Sequence, residues 1–439
     1  MDPAVRAANE LNAIFSRLEV PCEVCVTSEA GKHVRATADL DKDFTLVEEL
    51  PIVSWPSALL LSLRQPFCFH CLRLATHELP PSDGAAADAA NALRPPSTLP
   101  TASALPEKWT CCAHCVSCFC SVDCQQASAR LHRLLCPLLP KLRSACNSSS
   151  AAVNSGISVE ALARCVSWVV QRLSLVIEQQ KLTHEVLQAD FNEQRNSSAT
   201  ADNDSGVSAE VLVQTTWSQN SLNSQLFTQV VAPFSRLISP PDSVQFNGVS
   251  LPAWISSVRS LLAESCVKIL LVASGAPLGN LQLHPLHFDG ESKDSSSSTS
   301  QSSSPRYWAE ALVQTLFSTD TLRTLVGQMV LNAHGVNDYY FPACAAGVAP
   351  PSATGRFEWF LKGAGLYALL SSFNHSCEPN AEVLNADGTN EVVLKTTRPV
   401  RMGEEITITY IPLTASTTLA ERRELLKNYF FTCHCPRCV

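Results

Sequence analysis

Residues 373–383, FNHSCEPNAEV, and residues 403–410, GEEITITY, are the stretches that decide the fold of this chain. Each joins polar residues to a pattern that is typical of β-strands. Residues 381–385 and 391–397 flank Asp387-Gly388, a dipeptide that favours a tight hairpin turn. Residues 406–410 alternate apolar and polar side chains like a further strand. The part of the chain after Gly365 is therefore predicted to be mainly β-structure.

A group of cysteines closes the chain with the spacing Cys433-x-Cys435-x2-Cys438. Three thiolates leave one position of a tetrahedral metal ion to be filled by another ligand. Cys377, which lies in the first of the two stretches, is the natural fourth donor. Such a triple can also arise by chance in a chain with 19 cysteines. The spacing predicts one zinc ion that ties the tail to the body of the protein near residue 377.

The composition is that of a folded protein of two or three domains. The 439 residues are 46% hydrophobic, and 40 acidic residues outnumber 32 basic ones, for a net charge of −8. These values exclude wholesale disorder and the strongly basic composition of a nucleic-acid coat protein. Residues 254–276 are interrupted by charges, and residues 1–15 lack the apolar core of a secretory signal. The cysteines are therefore expected to be metal ligands or core residues rather than disulfides.

A second cysteine pattern lies between residues 68 and 136. It reads Cys68-x2-Cys71, then Cys112-x2-Cys115-x4-Cys120-x3-Cys124-x7-His132-x3-Cys136. A two-residue spacing lets both thiolates of a pair reach one ion, and a three-residue spacing puts two ligands on one face of a helical turn. Eight ligands suit two closed structural zinc sites. The alternative, loosely placed core thiols, requires six spacings to coincide in a stretch with little apolar content.

The rest of the chain alternates between patterned segments and low-complexity breaks. Residues 31–56 read as short strands, and apolar residues at helical spacing predict helices over residues 159–194, 209–237 and 307–329. The segments rich in Ala, Ser, Asn or Pro are predicted to be flexible or disordered: residues 80–106, 147–157, 196–208 and 294–305. The chain is therefore expected to have an α+β fold with helical insertions.

The cysteine pattern of residues 68–136 resembles a MYND zinc finger, in which two zinc ions are bound in an interleaved manner. The resemblance implies that one ion is held by Cys68, Cys71, Cys120 and Cys124, and the other by Cys112, Cys115, His132 and Cys136. The long gap between Cys71 and Cys112 departs from the family. A finger of this type implies a peptide partner, whereas the low basic content of residues 68–136 argues against nucleic-acid binding.

The stretches FNHSCEPNAEV and GEEITITY resemble the two signature motifs of SET-domain lysine methyltransferases. The order of the chain is similar to that of the SET and MYND family, in its shorter members without a C-terminal helical-repeat domain. This resemblance implies a β-rich SET domain split by a finger and a helical insertion and followed by a post-SET zinc site. The implied boundaries are residues 1–64 for the first SET part, 65–140 for the finger, 141–325 for the helical insertion, 326–412 for the catalytic SET core and 413–439 for the zinc-binding tail.

The same resemblance implies S-adenosylmethionine as cofactor, besides three zinc ions, and a protein lysine as substrate. The residues at matching positions would contact the cofactor: Gly31, Lys32, Asn332, Asn374, His375, Tyr410 and Phe431. Tyr410 would be the catalytic residue, and Tyr367 and Tyr429 would line the lysine channel. His33 stands where the family usually has glycine. Each of these residues has a structural alternative, since strand tyrosines and aromatic residues near a zinc site often simply pack in a core.

Two functions remain open from the sequence. The first is methyl transfer to histone or non-histone lysines by a monomeric protein of the cytoplasm or nucleus that does not enter a membrane. The second is a zinc-stabilised adaptor that binds partner peptides through its finger and has lost methyl transfer. Intact Asn374, His375 and Tyr410 favour the enzyme, and His33 favours the adaptor.

Overall fold

The fold is seen in a computed structural model that describes residues 3–63, 66–75, 106–115, 117–146, 157–201, 221–237, 251–276, 286, 307–340, 358–414 and 416–439. The expected α+β class is confirmed, with helices and several small sheets. Most of the predicted breaks lie outside the described residues, namely 80–105, 147–156, 202–208 and 294–305. The first residues of the break predicted at 196–208 are instead the end of a helix that runs to Ala201. The predicted domain boundaries stay predictions.

The helices, numbered in chain order, occupy both ends and the middle of the chain. They are α1 Pro3–Arg17, α2 Ala58–Leu63, α3 Val122–Ala127, α4 Ala129–Leu135, α5 Leu139–Cys146, α6 Val159–Gln180, α7 His184–Ala201, α8 Leu222–Ser235, α9 Leu251–Ala273, α10 Tyr307–Leu316, α11 Thr319–Asn332 and α12 Leu419–Leu426. The single helix predicted over residues 159–194 is divided in two because Lys181 adopts a left-handed conformation, with φ 53°. Helix α1, which the sequence analysis did not predict, buries Leu11 and Phe15 from one face.

Within the described ranges, the strands are short and form four sheets. They are β1 Cys22–Thr27, β2 Gly31–Ala36, β3 Thr45–Glu49, β4 Val53–Pro56, β5 Thr110–Cys111, β6 Cys118–Phe119, β7 Ala333–Tyr340, β8 Glu358–Leu366, β9 Asn374–His375, β10 Ala381–Asn385, β11 Val392–Thr396 and β12 Glu405–Ile408. Their orders are β1-β2-β12-β9, β10-β11-β3, β4-β8-β7 and β5-β6. Strands from residues 22–56 therefore pair with strands from the C-terminal part of the chain.

The predicted hairpin at Asp387-Gly388 is present, and β10 pairs antiparallel with β11. The strand predicted over residues 406–410 joins a different sheet. There β12 pairs antiparallel with β2 and parallel with β9, so that Thr407 lies beside Asn374 and Ile408 beside His375. This pairing joins the two stretches of sequence that decide the fold.

The two largest apolar cores of the described residues support these sheets. One is helical and includes the α6 residues that the helical spacing predicted, Leu162, Val166, Val169 and Leu173. The other packs Leu11 and Phe15 of α1 against Val34, Phe373 and Ile406. The second core contains residues of β2 and β12 and the residue before β9, so it supports the sheet that joins these three strands.

A buried ion pair joins the helical core to the sheets. The Arg164 guanidinium on α6 donates to the Glu160 carboxylate and also to the carbonyl oxygens of Ser54 and Phe69, each at 3.0 to 3.1 Å. Both charged side chains are almost completely buried. The guanidinium also lies over the Phe69 ring, 4.1 Å from its centroid. One side chain thus connects α6, β4 and the segment that precedes Cys71.

The expectation that the cysteines form no disulfide is wrong for Cys111 and Cys118. These residues face each other in the β5-β6 pair, and their sulfur atoms are bonded. Neither residue belongs to the metal-binding pattern, and direct cross-strand pairing is what brings their thiols together. Among the described residues, no helix is long and apolar enough to cross a membrane.

Candidate functional site

Twelve cysteine and histidine side chains converge in three groups of four. The first group is Cys68, Cys71, Cys120 and Cys124; the second is Cys112, Cys115, His132 and Cys136; the third is Cys377, Cys433, Cys435 and Cys438. Within each group the candidate ligand atoms lie within 4.8 Å of one another. The structure thus brings together the same sets that the sequence analysis assigned.

The spacing of the sulfur atoms fits a tetrahedral ion. A zinc ion about 2.3 Å from each thiolate needs sulfurs about 3.8 Å apart. The Cys71 and Cys120 sulfurs are 3.5 Å apart, and those of Cys112 and Cys136 are 3.7 Å apart. The Cys377 sulfur lies 4.0 Å from the Cys433 sulfur and 3.5 Å from that of Cys438. The residues therefore suit the metal that their chemistry implies.

Local structure explains how the finger presents its ligands. Ser121 caps the N-terminus of α3: its hydroxyl accepts the Cys124 backbone N–H, and this cap places Cys124 in the first turn. One turn of α4 brings Cys136 beside His132, because the Cys136 N–H bonds to the His132 carbonyl. The His132 ring contacts Phe69 and Phe119 edge-on, each with 5.2 Å between centroids. Packing thereby orients the one histidine ligand.

The third group is held by charged side chains of the tail. The Arg422 guanidinium donates to the Cys438 sulfur at 3.8 Å and to the Arg437 carbonyl at 2.7 Å. Arg437 in turn donates to the Cys377 carbonyl at 3.3 Å. Four thiolates around a divalent ion carry net negative charge, so guanidinium donors stabilise the charged form.

Tyr410 lies directly beside this third cysteine group. Both its backbone N–H and its backbone carbonyl are hydrogen-bonded. Its N–H donates to His375 Nδ1 at 3.0 Å, and its carbonyl accepts from the Tyr429 hydroxyl at 3.2 Å. The Tyr410 hydroxyl donates to the Phe373 carbonyl at 2.6 Å. Burial raises the pKa of Tyr410 above its ordinary value. Tyr410 is therefore a neutral, oriented phenol at physiological pH.

The loop before β2 lies against Asn374. The Asn374 amide donates to the Ala30 carbonyl and to the Glu405 carboxylate, both at 3.0 Å. Gly31 follows with φ 62°, a left-handed conformation that favours glycine. The Lys32 ammonium donates to the Arg236 carbonyl at 2.6 Å, and burial lowers the pKa of Lys32 to about 8. Asn374 of β9 thus holds one side of the loop, and the half-buried Lys32 ammonium joins its other side to the end of α8.

A SET-domain family model matches residues 175–411, more than half of the chain. The chain belongs to the SET-domain family. A SET and MYND domain-containing protein of Dictyostelium discoideum is 43% identical over 79 residues, which are 18% of this chain and 15% of that protein. The protein-lysine N-trimethyltransferase SMYD5 of Gallus gallus is 40% identical over 80 residues, 18% of this chain and 19% of that protein. The histone-lysine N-methyltransferase SMYD3 of Homo sapiens is 38% identical over 76 residues, 17% of each.

These alignments cover less than a fifth of each relative's length. The SET-domain match begins within α6, so it takes in much of the predicted helical insertion, while β1 to β4 lie before it. Those early strands nevertheless pair with strands inside the match, since β2 pairs with β12 and β4 with β8. The SET sheets therefore need residues from outside the matched span.

The other predicted site residues of this SET domain occupy varied positions. The Phe431 ring, 39% exposed, lies 5.9 Å from the His375 ring and 6.3 Å from the Tyr410 ring. Asn332 is the last residue of α11 and donates to the Gln328 carbonyl. Tyr367 is fully buried, and its hydroxyl donates to the Asn390 carbonyl at 2.6 Å. The roles expected for these residues stay predictions.

Glu49 is a site residue that the sequence analysis missed. Its carboxylate accepts from the backbone N–H groups of Ala368, Leu369 and Leu370 at 2.6 to 3.2 Å. This clamp fixes the turn that leads into Phe373, the residue to which Tyr410 bonds. Burial raises the pKa of Glu49, although the three N–H groups favour the carboxylate. One acidic residue at the end of a strand gives no sequence signal for such a role.

His33, which stands where the resemblance leads us to expect glycine, is buried. Its Nδ1 lies 3.0 Å from the Gly31 carbonyl, so the ring folds back on its own loop. Among the described residues, its Nε2 has no hydrogen-bond partner. The loop accommodates the extra ring on the buried side of β2.

Proposed function

We propose that this chain is a protein-lysine N-methyltransferase that uses S-adenosylmethionine. The observation that carries the proposal is the set of three hydrogen bonds that hold Tyr410 beside Asn374, His375 and the third cysteine group. A buried phenol fixed at its hydroxyl and at both main-chain groups is a preorganised element, of the kind that a transfer reaction needs.

The loop at Gly31 and the Asn374 side chain suit the cofactor. Lys32 offers a half-buried ammonium that donates to the Arg236 carbonyl, and the carboxylate of the cofactor would neutralise its charge. The backbone at Gly31 has no atom near the position of a side chain, so a ligand can approach closely. A methyl group on a positively charged sulfur is the chemistry that S-adenosylmethionine supplies when bound.

The aromatic residues around Tyr410 suit the substrate amine. A lysine side chain in water has a pKa near 10.4, so presenting its neutral amine at pH 7 costs about 4 to 5 kcal/mol. Removal of water between the rings of Tyr410 and Tyr429, whose centroids are 5.1 Å apart, favours that neutral form. The Tyr410 hydroxyl would orient the amine for in-line displacement. Tyr367, buried behind this region, would support the channel wall.

We further propose one zinc ion in each cysteine group. Zinc in the first two groups would stabilise the finger, and zinc in the third would hold the tail against Tyr410. All twelve ligands would then serve structural sites without an open position, so the ions would take no part in methyl transfer.

The test is methyl transfer from labelled cofactor into a whole-cell extract, with the wild type compared with Tyr410→Phe. Labelled proteins that appear with the wild type and fade with the variant support the enzyme and identify its substrates. Calorimetry with S-adenosylmethionine separates this function from that of an adaptor. A chain that binds no cofactor and labels nothing would be left with the peptide-binding role of its finger.

A further inference from the structure

The His375 imidazole bridges the third cysteine group and Tyr410. Its Nδ1 lies 3.0 Å from the Tyr410 backbone nitrogen, and its Nε2 lies 3.3 Å from the Cys377 sulfur. The backbone N–H can only donate, so Nδ1 must be the bare, accepting nitrogen. In the neutral ring the proton then resides on Nε2, which points at the sulfur. The hydrogen bonds thus select one tautomer.

We propose that His375 is a positioning residue that couples metal occupancy of the third group to the orientation of Tyr410. A Cys377 thiolate bound to zinc is a strong acceptor for the Nε2–H, and such bonds to metal ligands fix the donor ring in turn. With the ring fixed, Nδ1 holds the Tyr410 N–H and thereby the strand end that carries the phenol. The effect on catalysis rests on the proposed methyl transfer, whereas the structural coupling rests only on the zinc ion proposed for the third group.

The surroundings of the ring favour a rigid connection. His375 is 8% exposed and Cys377 is 2% exposed, so water competes little for either hydrogen bond. The Tyr410 ring packs on the imidazole with 5.4 Å between centroids. The hydrogen bond to the Tyr410 carbonyl comes from the tail itself, because its donor Tyr429 precedes Cys433 by four residues. Both main-chain contacts of Tyr410 therefore depend on groups that the third site anchors.

Two substitutions separate the two ends of the bridge. His375→Asn keeps an acceptor near the Nδ1 position but is too short to reach Cys377. His375→Gln keeps a donor near the Nε2 position but loses the acceptor for Tyr410. His434→Asn is the matched control, because His434 lies between two of the cysteines yet is exposed. Cys435→Ser, which lacks one ligand of the third group, identifies the zinc-release phase that belongs to this site.

The first measurement is zinc release from the full chain to a chromogenic chelator. Loss of a hydrogen bond to a ligand typically weakens metal binding 10- to 100-fold, and we expect His375→Asn to release this zinc faster by about that factor. The Gln and His434→Asn variants should release it at nearly the wild-type rate. Equal release from His375→Asn and the wild type would overturn the proposal.

The second measurement follows the Tyr410 amide in a chain labelled with ¹⁵N-tyrosine, which contains six tyrosines. Tyr410→Phe assigns the signal. Chelation of zinc should shift the Tyr410 amide signal of the wild type. In His375→Gln this signal should be shifted from its wild-type position even with zinc bound. An amide signal that responds to neither change rules out the coupling.

Where methyl transfer is measurable, His375→Gln should lower kcat more than it changes KM for the substrate. An inactive wild type would contradict the proposed function but leave both structural readouts intact.

Discussion

The Tyr410 hydroxyl donates a 2.6 Å hydrogen bond to the carbonyl oxygen of Phe373. These two residues come from the two sequence stretches that β9 and β12 align in parallel. Phe373 is fully buried beneath them, with its ring edge-on to Phe15 of α1. The phenol is thus anchored to the N-terminal core, and its orientation depends on helix α1 as well as on its own strand.

Replacing Tyr410 by phenylalanine should lower methyl transfer by about 100-fold, because a preorganised hydroxyl at the transfer point is lost. Cofactor affinity should stay within about twofold, since the ring and its packing remain. The Phe373 carbonyl loses its partner, which should cost about 1 kcal/mol of stability. Transfer of labelled methyl, calorimetry and urea unfolding measure the three effects. Full activity in the variant would remove the role given to Tyr410.

The zinc content of the purified chain should be three ions per molecule. Elemental analysis should give about two for Cys435→Ser and also for Cys71→Ser, because each disrupts one of the three groups. Only the Cys435 variant should also lose activity strongly, since its group adjoins Tyr410. A wild-type value of two would mean that one of the groups binds no metal.

The Lys32 ammonium should make cofactor binding depend on pH. Its pKa of about 8 means that it loses its charge above pH 8, whereas a bound carboxylate favours the protonated form. Affinity should therefore fall as the pH rises from 7.5 to 9.5, by up to about tenfold per pH unit above 8. Lys32→Arg retains its charge over this range and serves as the control, because all other titrating groups are shared. Parallel affinity curves for the two proteins would exclude this contact.

Glu49→Gln should destabilise the protein by about 1 to 3 kcal/mol, because one oxygen that accepts backbone N–H groups becomes a donor. Glu48→Gln is the matched control. Glu48 is the preceding residue of β3 and is exposed, so its replacement should change stability by less than about 0.5 kcal/mol. Urea unfolding of both variants checks the difference, and similar midpoints would show that the clamp contributes little.

Arg164→Met should cost about 3 to 5 kcal/mol, because it leaves the buried Glu160 carboxylate with Arg143 as its remaining cationic partner. The carbonyls of Ser54 and Phe69 lose their donor at the same time. Arg172→Met, a more exposed position on the same helix, should have a small effect. Thermal and urea unfolding of both variants test this. Equal loss of stability at the two positions would contradict the importance of the buried pair.

Local patterns predicted a large part of the fold. The strands in residues 31–56, the hairpin at Asp387-Gly388 and the buried face of α6 follow from periodicity and turn chemistry, which depend on neighbouring residues. Helix α1 was not predicted, because the search for a secretory signal depends on a run of apolar residues and not on the helical spacing of Leu11 and Phe15. The Cys111–Cys118 disulfide was missed because a cross-strand pair depends on the register of two strands.

The sequence by itself determined which residues could act. The spacings identified twelve candidate cysteine and histidine ligands. The resemblance to a MYND finger divided eight of them into two sets, and the resemblance to the SET motifs singled out Asn374, His375 and Tyr410. Spacing carries this information because one ion or one turn requires ligands at defined separations along the chain.

Only the tertiary structure decided how those residues are held. The Glu49 clamp, the Lys32 contact with α8 and the bond from Tyr410 to Phe373 each join residues that are far apart in sequence. Such contacts arise when distant elements pack on a shared core, and no local pattern records which elements will meet. The same packing gave His375 its single tautomer, because only the fold puts a donor on one side of the ring and a sulfur on the other.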